Sequence, residues 1–467
     1  MDLSCDVAII GAGTAGLSAE RSARRAGART LIIDPEFSGT TCANVGCMPS
    51  KLLIAAADAA YAVRQAPLFG IAANSQVSGH GVMQRLRRER DHFSAATRED
   101  IAKIPASSML RGKARFVNAD TLLIDDGTRV TARAIVIATG SRPAMPDNFA
   151  ALGDLALTNE TLFELDTLPE TLAVIGAGPL GLELAQAMAR LGVKVTLLDE
   201  ASKLAGLEDK AIASRLDEVL RRDMAVVTGV KIAAETRDGK VRLRWTGRSS
   251  GEGLFDRVLV ATGRPPALKG LDLEKSGLAL DKLGVPRFDR DTLRCGESPI
   301  FIAGDADADR PVLHEASAQG ALAGYNAARC PDVTPGKRNV PFSIMFTDPA
   351  LATVGQVQGE DLVVGTADYS DQGRARIEAK AVGLAHLHAD PADGRLLGAI
   401  LLCPGAEHLA HLLAWSIESG MTASALLERP FYHPTLEEGL KPALRMICKT
   451  VGSDAPGSSD EGHPSGG

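Results

Sequence analysis

The 467-residue sequence has few aromatic side chains, no long apolar run and no excess of basic charge. Phe, Trp and Tyr together make up 4% of the chain, which leaves no evident stacking platform for single-stranded nucleic acid. The net charge of −7 also argues against a nucleic-acid partner. Apolar runs such as VAII and AIVIA have the length of strands and fall well short of the roughly 18 residues of a membrane span. The sequence therefore predicts neither a nucleic-acid partner nor a membrane segment.

Cysteine is also scarce, and only two of the seven cysteines lie close together. Cys42 and Cys47, in GTTCANVGCMPSK, are too far apart for a C-x-x-C motif and have no second pair for a zinc site, so no metal site is predicted. In a regular helix their Cα atoms would be roughly 8–9 Å apart, whereas a disulfide tolerates about 4.4–6.8 Å. A bond between them requires a bent backbone, which Gly46 and Pro49 would allow.

The first residues, MDLSCDVAIIGAG, lack the basic segment of a secretory signal, so we expect a cytoplasmic protein. Because that compartment is reducing, a close cysteine pair is more often catalytic than structural. The remaining cysteines have no comparable setting and are interpreted as ordinary residues: Cys5, Cys295, Cys330, Cys403 and Cys448.

The first 34 residues follow the order strand, glycine-rich turn, helix, strand. Gly11, Gly13 and Gly16 lie between an apolar run and an alanine-rich segment, and Asp34 ends the next apolar run. In such a unit the glycines allow a tight turn, approach of backbone N–H groups to a pyrophosphate, and close packing of helix on strand. The acid would accept hydrogen bonds from a ribose. These residues predict a dinucleotide site.

A second copy of this pattern, GAGPLGLELA, has its glycines at Gly176, Gly178 and Gly181. Asp199 and Glu200 end the strand that follows. Both acids would repel a 2′-phosphate, and no arginine occupies this end of the strand, so NAD is favoured over NADP. Lys203 lies close by and leaves NADP open.

Three later strands end in polar or glycine-rich motifs. Two of them, ATGSRP and ATGRPP, would each close one nucleotide unit, which adds Thr139, Gly140 and Gly263 to the predicted cofactor sites. The third, IAGD, places Asp305 at the carboxyl end of a strand, where ligands bind in open α/β sheets. Asp305 would bond a sugar-alcohol chain; the alternative is an ordinary aspartate in a turn.

Two dinucleotide units imply two dinucleotides, most economically a flavin and a nicotinamide. The predicted fold is α/β, with two Rossmann-like dinucleotide-binding domains, one inserted in the other, and a C-terminal α+β domain. The predicted segments are 1–145 (flavin domain, first part), 146–268 (nicotinamide domain), 269–337 (flavin domain, return), 338–450 (C-terminal domain) and 451–467, a tail with little to bury that should be disordered.

In this order the motifs GAGTAG, TCANVGCMPSK, GAGPLGLELA, IAGD, FTDPALATVG and HPTLEE resemble the pyridine nucleotide–disulfide oxidoreductases with an active-site dithiol. That family includes dihydrolipoyl dehydrogenase, glutathione reductase and mercuric reductase, and the resemblance covers about residues 4–450. LGLELA and HPTLEEGLK look most like dihydrolipoyl dehydrogenase. The resemblance implies FAD, NAD and a homodimer built on the C-terminal domain.

The resemblance also implies roles for the reactive groups. Cys42 would be the exchange thiol that faces the substrate, and Cys47 would lie against the flavin. Lys51 would lie near the flavin N5, held by Glu183, and Thr41 would join the cofactor site. The alternative for Lys51 is an exposed helical lysine.

His433 is the predicted base. Pro434 disfavours helical angles at His433, and we expect a helix to begin at Pro434. The dipole of that helix would disfavour the charged form of the His433 imidazole. Glu438 would orient the ring and restore that charge, as a carboxylate does in a catalytic triad. Glu437 is the alternative carboxylate, and a surface histidine is the alternative for His433. Within the family this base belongs to the neighbouring subunit, so each active site would be shared.

Several departures from the family pattern leave the substrate open. Gly39–Thr40 replaces the usual Gly-Gly, Phe431–Tyr432 replaces a common His-Ala, and the loop near PVLHEASAQG is one residue shorter. The run RLRRERD at 85–91 is interpreted as a solvated helix face rather than a site for a partner.

The leading prediction is NAD-linked oxidation of dihydrolipoamide, or of a related dithiol, with a lipoyl-carrying multienzyme complex as one candidate partner. An NADPH-dependent disulfide reductase, such as glutathione reductase, would be expected to have arginines at the positions of Asp199 and Glu200. Mercuric reductase is disfavoured because the tail lacks the extra cysteine pair of that enzyme. A soluble transhydrogenase would not need the dithiol with His433, and a non-catalytic flavin-binding subunit would need none of these groups.

Overall fold

The computed structural model describes residues 1–74 and 76–456 of the chain. The strands, in chain order, are β1 (Asp2–Ile10), β2 (Thr30–Asp34), β3 (Met109–Arg111), β4 (Ala114–Phe116), β5 (Thr121–Ile124), β6 (Arg129–Ile137), β7 (Ala156–Leu157), β8 (Thr171–Ile175), β9 (Lys194–Asp199), β10 (Ala225–Thr228), β11 (Val230–Arg237), β12 (Lys240–Gly247), β13 (Gly251–Phe255), β14 (Arg257–Val260), β15 (Ile300–Ile302), β16 (Phe342–Met345), β17 (Leu351–Gly355), β18 (Val363–Asp368), β19 (Leu384–Ala389) and β20 (Leu396–Leu402). The α-helices are α1 (Thr14–Arg25), α2 (Thr41–Asn44), α3 (Cys47–Gln65), α4 (Gly79–Ala102), α5 (Asp147–Ala150), α6 (Asn159–Leu162), α7 (Pro179–Arg190), α8 (Lys210–Asp223), α9 (Leu313–Arg329), α10 (Gly373–Ile377), α11 (Ala406–Glu418), α12 (Ala423–Leu427) and α13 (Lys441–Val451).

The first sheet has the order β3-β2-β1-β6-β5-β4, with β15 added beside β6. β1 pairs in parallel with β2 and β6, and β15 pairs in parallel with β6. Ile9, Val136 and Ile302 in these strands are fully buried, as expected for parallel strands covered on both faces. Because β15 follows the second nucleotide unit in the chain, the polypeptide leaves this sheet after β6 and returns to complete it.

The second sheet is parallel, with the order β10-β9-β8-β14-β7. An antiparallel sheet of β11, β12 and β13 accompanies it. The two chain segments that connect this domain to the first run side by side, because Arg142 N donates to Pro265 O (3.1 Å) and Ala144 N to Gly263 O (2.9 Å). The inserted domain is therefore joined to the first domain by a paired, two-stranded connection.

The C-terminal domain contains the antiparallel sheet β16-β17-β20-β19-β18. Helix α11 packs on β17 and β20, and α13 packs on β18 and β19. Leu401, Leu413 and Ile447 contribute to the apolar core between these layers. Together the domains have the fold class predicted from the sequence, two Rossmann-like domains and an α+β domain.

The end of the chain differs from the prediction. Val451, placed in the tail by the sequence, ends α13 and packs with Ala455 against the apolar core of the C-terminal domain. Gly452 (φ 70°) ends the helix and turns the chain back, so that Ala455 returns to the core. The folded region therefore continues past residue 450. Residues 457–467 of the predicted tail lie outside the described residues.

The arginine run in α4 is also not a purely solvated face. Arg87 donates to the carbonyl of Leu165, and Arg90 forms an ion pair with Glu164. Both arginines therefore link α4 to the segment that precedes β8, a long-range contact that helical spacing does not show. None of the helices in the described parts of the chain has the length and apolar character to span a bilayer.

Candidate active site

Cys42 and Cys47 lie on either side of a break between two helices. Gly46, between α2 and α3, has φ −119° and ψ −115°, outside the helical range. A Cβ at Gly46 would lie 2.9 Å from Thr41 O and 3.1 Å from Cys42 Cα, so the close approach requires glycine. Pro49 is the third residue of α3, in the first turn, where the backbone N–H has no helical partner. Gly46 therefore forms the predicted bend, and Pro49 does not.

The two thiols, both free in this structure, are in hydrogen-bonding contact. The hydrogen bond that Cys42 donates lowers the pKa of Cys47 to about 6, and the positive charge of Lys51 adds to this shift. The same hydrogen bond, together with burial, raises the pKa of Cys42. The two pKa shifts have opposite directions, so Cys47 is the thiol of the pair that more readily becomes a thiolate.

Lys51 lies one turn after Cys47 on α3. Its Nζ is 2.7 Å from Glu183 Oε2 on α7 and 4.5 Å from the ring centroid of Phe346. The other oxygen of Glu183 accepts a hydrogen bond from Phe346 N at 2.8 Å. The resemblance implied the Lys51–Glu183 pair but not Phe346, which precedes TDPALATVG in the motif and received no role from the sequence.

The first glycine turn is shaped for a ligand at the start of α1. A Cβ at Gly11 would lie 2.4 Å from Ala138 O, and a Cβ at Gly16 would lie 1.8 Å from Gly11 O, so both positions require glycine. A Cβ at Gly13 would meet no atom within 4 Å. Gly13 is the N-cap of α1, so the helix N-terminus faces open space where an anionic group can approach the backbone N–H groups.

Asp34 lies beside this turn at the end of β2. Its Oδ2 accepts a hydrogen bond from Ala12 N (2.9 Å), and its Oδ1 accepts from Glu36 N (2.9 Å) and Phe37 N (2.8 Å). These bonds fix the carboxylate next to the glycine turn. Since a carboxylate has about four acceptor positions, it can also accept a bond from a ribose hydroxyl.

The second unit repeats this geometry. A Cβ at Gly176 would lie 2.4 Å from Ala261 O, and one at Gly181 would lie 2.1 Å from Gly176 O. Gly178, the N-cap of α7, again borders open space. Asp199 Oδ2 accepts from Ala177 N, the counterpart of the Asp34–Ala12 bond. The chain therefore has two sites of the same construction.

Two cations lie near Asp199: Lys203, which the sequence placed there, and Arg248, which it did not. Lys203 forms an ion pair with Glu208 at 2.5 Å, with more than half of each side chain exposed. Arg248 follows β12, and its Cβ lies 3.4 Å from the position of a Cβ at Gly229. Gly229 N donates to Ala201 O, so Arg248 lies near the end of β9 although it is distant in the chain.

The remaining predicted cofactor residues lie at the carboxyl ends of strands. Thr139 Oγ1, after β6, is buried and has no hydrogen-bond partner among the described residues. Gly140 (φ 69°) and Gly263 (φ 127°) turn the chain after β6 and β14. Asp305 Oδ2, after β15, accepts from Ser141 Oγ at 2.7 Å, a partner the sequence did not identify. A buried unpaired hydroxyl beside the first glycine turn fits a polar cofactor there.

Thr41 begins α2 and is exposed at the start of the dithiol segment. The preceding Thr40, where the family usually has glycine, is the N-cap of α2, and its Oγ1 accepts from Ala43 N at 3.3 Å. The departure at this position therefore stabilises the short helix that carries Cys42.

His433 lies in the C-terminal domain and is paired with a carboxylate. Its Nδ1 is 3.0 Å from Glu438 Oε1 and 3.1 Å from Oε2. Glu438 is buried, and it also accepts a hydrogen bond from Thr435 N at 3.2 Å. Glu438 is thus the carboxylate that contacts His433, and Nε2 is the ring nitrogen left to exchange a proton.

The helix expected at Pro434 does not form. The chain enters a 3₁₀ turn at Glu437–Leu440 and then α13, with Pro442 in the first turn of that helix. Before this turn, Gln372 Nε2 donates to Thr435 O (2.7 Å) and Tyr369 OH donates to Leu436 O (3.0 Å). Leu436 O also accepts from Gly439 N at 3.1 Å in the 3₁₀ turn, so these side chains hold the chain before the turn and the regular helix begins only at α13.

Comparisons with known proteins agree with this geometry. Residues 5–321 match the family model for the pyridine nucleotide-disulphide oxidoreductases, and residues 341–444 match the model for their dimerisation domain. A mercuric reductase from Shigella flexneri is 34% identical over 466 residues, which cover 95% of this chain and 81% of the relative. A dihydrolipoyl dehydrogenase from Bacillus subtilis (strain 168) is 30% identical over 450 residues, 94% of this chain and 97% of the relative.

Among solved structures, the Cu(II) complex of the HOCl-induced flavoprotein disulfide reductase RclA from Escherichia coli superposes with a TM-score of 0.82. It is 23% identical and covers 95% of this chain and 99% of that chain. This likeness shows the fold. The sequence relatives include enzymes with two different named activities.

Proposed function

Because this chain belongs to the pyridine nucleotide-disulphide oxidoreductases, which bind FAD and a pyridine nucleotide, we propose that it oxidises dihydrolipoamide or a related dithiol with NAD. The observation that carries this proposal is the contact between Cys42 and Cys47. A protonated thiol and a low-pKa thiolate, held together by a bend, are suited to reversible disulfide formation. A dithiol substrate is the donor such a pair exchanges with.

The first dinucleotide site fits FAD. Gly11 and Gly13 would admit the pyrophosphate to the N-terminus of α1, Asp34 would bind the ribose, and Asp305 the ribityl chain. Thr139 would supply a buried hydroxyl, Thr41 and Gly140 would join the site, and Gly16 would allow α1 to pack closely on the glycine turn. FAD, when bound, would supply the two-electron acceptor between the dithiol and the nicotinamide, with Lys51 placed to balance negative charge on its ring.

The second site would bind the nicotinamide nucleotide through Gly176, Gly178 and Gly181, with Gly263 at the neighbouring strand end. Asp199 and Glu200 favour an unmodified ribose over a 2′-phosphate, which supports NAD. Lys203 is paired with Glu208, and Arg248, near the end of β9, is the cation that a 2′-phosphate would use.

On the substrate side, His433 would accept the proton of one substrate thiol at Nε2, because Nδ1 is held by Glu438. The resulting thiolate would attack the Cys42 sulfur of the Cys42–Cys47 disulfide, forming a mixed disulfide and releasing Cys47 as a thiolate. The second substrate thiol would then lose its proton and attack the first substrate sulfur in that mixed disulfide. This step would form the substrate disulfide and release Cys42, which would take up the proton lost by the second thiol. The low pKa of Cys47 makes it a good leaving group.

The dimerisation domain supports a homodimer. We propose that the base and the dithiol of each active site come from different subunits, so that dissociation of the dimer stops dithiol oxidation. A lipoyl-carrying multienzyme complex is the proposed partner, and the cytoplasm is the proposed location.

Reduction of Hg(II) is a second candidate, favoured by the 34% identity to the mercuric reductase of Shigella flexneri. A thiolate pair is a soft ligand set suited to such an ion. In this case the reduced dithiol would bind the metal ion as substrate, whereas in dithiol oxidation the Cys42–Cys47 disulfide exchanges with an organic dithiol.

Anaerobic titration of the holoenzyme separates the candidates. Free dihydrolipoamide or a lipoylated domain should produce a long-wavelength thiolate-to-flavin absorbance, which NAD should then discharge. NADPH oxidation that depends on glutathione disulfide, with no response to dihydrolipoamide, would instead identify a disulfide reductase. Oxidation of a nicotinamide nucleotide that depends on Hg(II) would identify a mercuric reductase. A holoenzyme with no response to any of these substrates would contradict the enzymatic proposal.

A further inference from the structure

Asn159 connects the inserted domain to the dithiol segment. It is the first residue of α6, is 3% exposed, and its Nδ2 donates to Val45 O at 2.6 Å. Val45 lies between α2 and α3, in the bend that separates Cys42 from Cys47. One buried amide of the inserted domain therefore binds the backbone of the redox segment in the first domain.

Arg264 fixes the orientation of this amide. Its Nη1 donates to Asn159 Oδ1 at 2.9 Å, so the amide oxygen faces the guanidinium and the amide nitrogen faces Val45. Arg264 also donates from Nη2 to Ser141 O at 3.0 Å and from Nε to Ser141 Oγ at 3.3 Å. Because guanidinium is a rigid planar donor, these contacts hold both Asn159 and the connecting segment in one geometry.

Ser141 extends the network to the other end of the first site. Its hydroxyl donates to Asp305 Oδ2 at 2.7 Å, and Ser141 pairs with Pro266 in the two-stranded connection between the domains. The hydrogen bonds thus run from Asp305, through the connection between the domains, to the carbonyl between the two cysteines.

We propose that Asn159 and Arg264 are positioning residues for the dithiol. Through the carbonyl of Val45 they hold the segment between Cys42 and Cys47 in the bend that keeps the two sulfurs side by side. The orientation of the inserted domain, set at its two-stranded connection, is thereby coupled to the geometry of the thiols.

This coupling has a direct electrostatic consequence. The pKa of Cys47 is lowered chiefly by the hydrogen bond from Cys42, which depends steeply on the separation of the sulfurs. If the bend relaxes, that bond weakens and the thiolate loses its main stabilising contact. The inference rests on the proposed redox role of the dithiol.

The test compares N159D, N159A and a matched control, T158A, in the reduced dimeric holoenzyme. N159D keeps an oxygen to accept from Arg264 but loses the donor to Val45 O. T158A removes the N-cap of α6, in which Thr158 Oγ1 accepts a hydrogen bond from Glu160 N. It leaves the hydrogen bond from Asn159 to Val45 O intact. Flavin content and Tm report whether each variant folds, and N159A replaces N159D as the informative variant if the new carboxylate prevents folding.

Two measurements report on the thiols independently of turnover. In the wild type, the thiolate-to-flavin absorbance should titrate with a midpoint below the ordinary pKa of a cysteine thiol. In N159D and N159A we expect this midpoint to rise by one unit or more. In dithiothreitol redox buffers at pH 7, a rise of one unit lowers the equilibrium constant for reduction of the disulfide about fivefold, because less thiolate stabilises the reduced form. T158A should match the wild type in both measurements.

The outcomes distinguish this inference from the function on which it rests. If N159D and N159A fold and titrate as the wild type and T158A do, the positioning role is overturned while the redox function stands. If the wild type itself shows no titrating absorbance, the proposed function fails and the inference fails with it.

Discussion

The ammonium nitrogen of Lys51 lies 2.7 Å from Oε2 of Glu183, and the two residues come from different domains. Lys51 follows Cys47 by one turn of α3, while Glu183 lies on the helix that begins at the second glycine turn. The ion pair therefore joins the dithiol helix to the proposed nicotinamide site. Its two charges act on Cys47 with opposite signs, since Lys51 lowers the pKa of that thiol and Glu183 raises it.

Substitutions in this pair should move the pKa of Cys47 in opposite directions. K51M removes a positive charge beside the thiolate, so the midpoint of the thiolate-to-flavin absorbance should move to higher pH. E183Q removes the negative charge, so the midpoint should move to lower pH. K51R keeps the charge and is the matched control, with a midpoint close to that of the wild type. Midpoints that move in the same direction in K51M and E183Q would contradict this electrostatic account.

Substitutions at His433 and Glu438 should separate dithiol chemistry from flavin chemistry. H433A should lower the turnover number for dihydrolipoamide oxidation by about 10²–10⁴, the usual contribution of a general base. Flavin content and flavin reduction by NADH should be unchanged, because the base acts on the substrate thiol only. Stopped-flow measurement of the two half-reactions checks this.

The neighbouring glutamate provides a control for the carboxylate. E438Q should lower the same turnover number, because Glu438 holds His433 Nδ1 at 3.0 Å. E437Q leaves that contact in place and should behave as the wild type. If E437Q were the more damaging of the two, the carboxylate that supports the base would have been assigned wrongly.

The parts of this site that follow from local sequence could be predicted, and the parts that depend on distant contacts could not. The glycine turns at Gly11 and Gly176 follow from a short pattern with one steric explanation, and Gly46 follows from the spacing of two cysteines. The Lys51–Glu183 pair spans 132 residues and was accessible only through family resemblance. Asn159 and Arg264 bind across domains, and no periodicity marks such side chains.

The two prolines show the same limit on local reasoning. Pro49 and Pro434 were both expected to shape the backbone at the reactive groups. Pro49 lies in the first turn of α3, where it does not interrupt the helix. The chain after Pro434 is held by hydrogen bonds from Tyr369 and Gln372. Proline restricts its own φ, but tertiary hydrogen bonds determine whether a helix follows.

The reduced enzyme should become more stable relative to C47S as the pH rises from about 6 to about 9. The pKa of Cys47 is lowered to about 6 in the folded state from an ordinary value of 9.0, so the unfolded state binds more protons in that interval. The stabilisation is complete above the unfolded pKa and is lost as the pH falls through the folded pKa. Above pH 9 the raised pKa of Cys42 opposes a further gain.

Thermal unfolding of the reduced enzyme and of C47S across this interval measures the effect. The oxidised wild type has no thiol to titrate at either position and is the control, which should follow C47S in its pH dependence. Parallel curves for the reduced wild type and C47S would mean that Cys47 has an ordinary thiol pKa in the folded enzyme.

Arg190 should be the most sensitive single position in the contacts between domains. Its side chain is 5% exposed, with Nε 3.0 Å from Asp223 Oδ2 and Nη1 2.7 Å from Asp348 Oδ2, and its guanidinium lies 3.8 Å from the ring centroid of Tyr61. R190M would leave Asp223, which is 13% exposed, without its cation, whereas Asp348 is 39% exposed and screened by solvent. The cost should lie between about 1 kcal/mol for an exposed pair and about 3–5 kcal/mol for a fully buried one. We therefore expect a fall in Tm of roughly 5 °C or more.

R221M is the control. Arg221 pairs with Asp217 on the surface of α8, and half of the arginine side chain is exposed. The Tm of R221M should therefore change by about 1 °C or less. Equal shifts in the two variants, measured by calorimetry at one protein concentration, would show that the buried arginine does not hold the domains together.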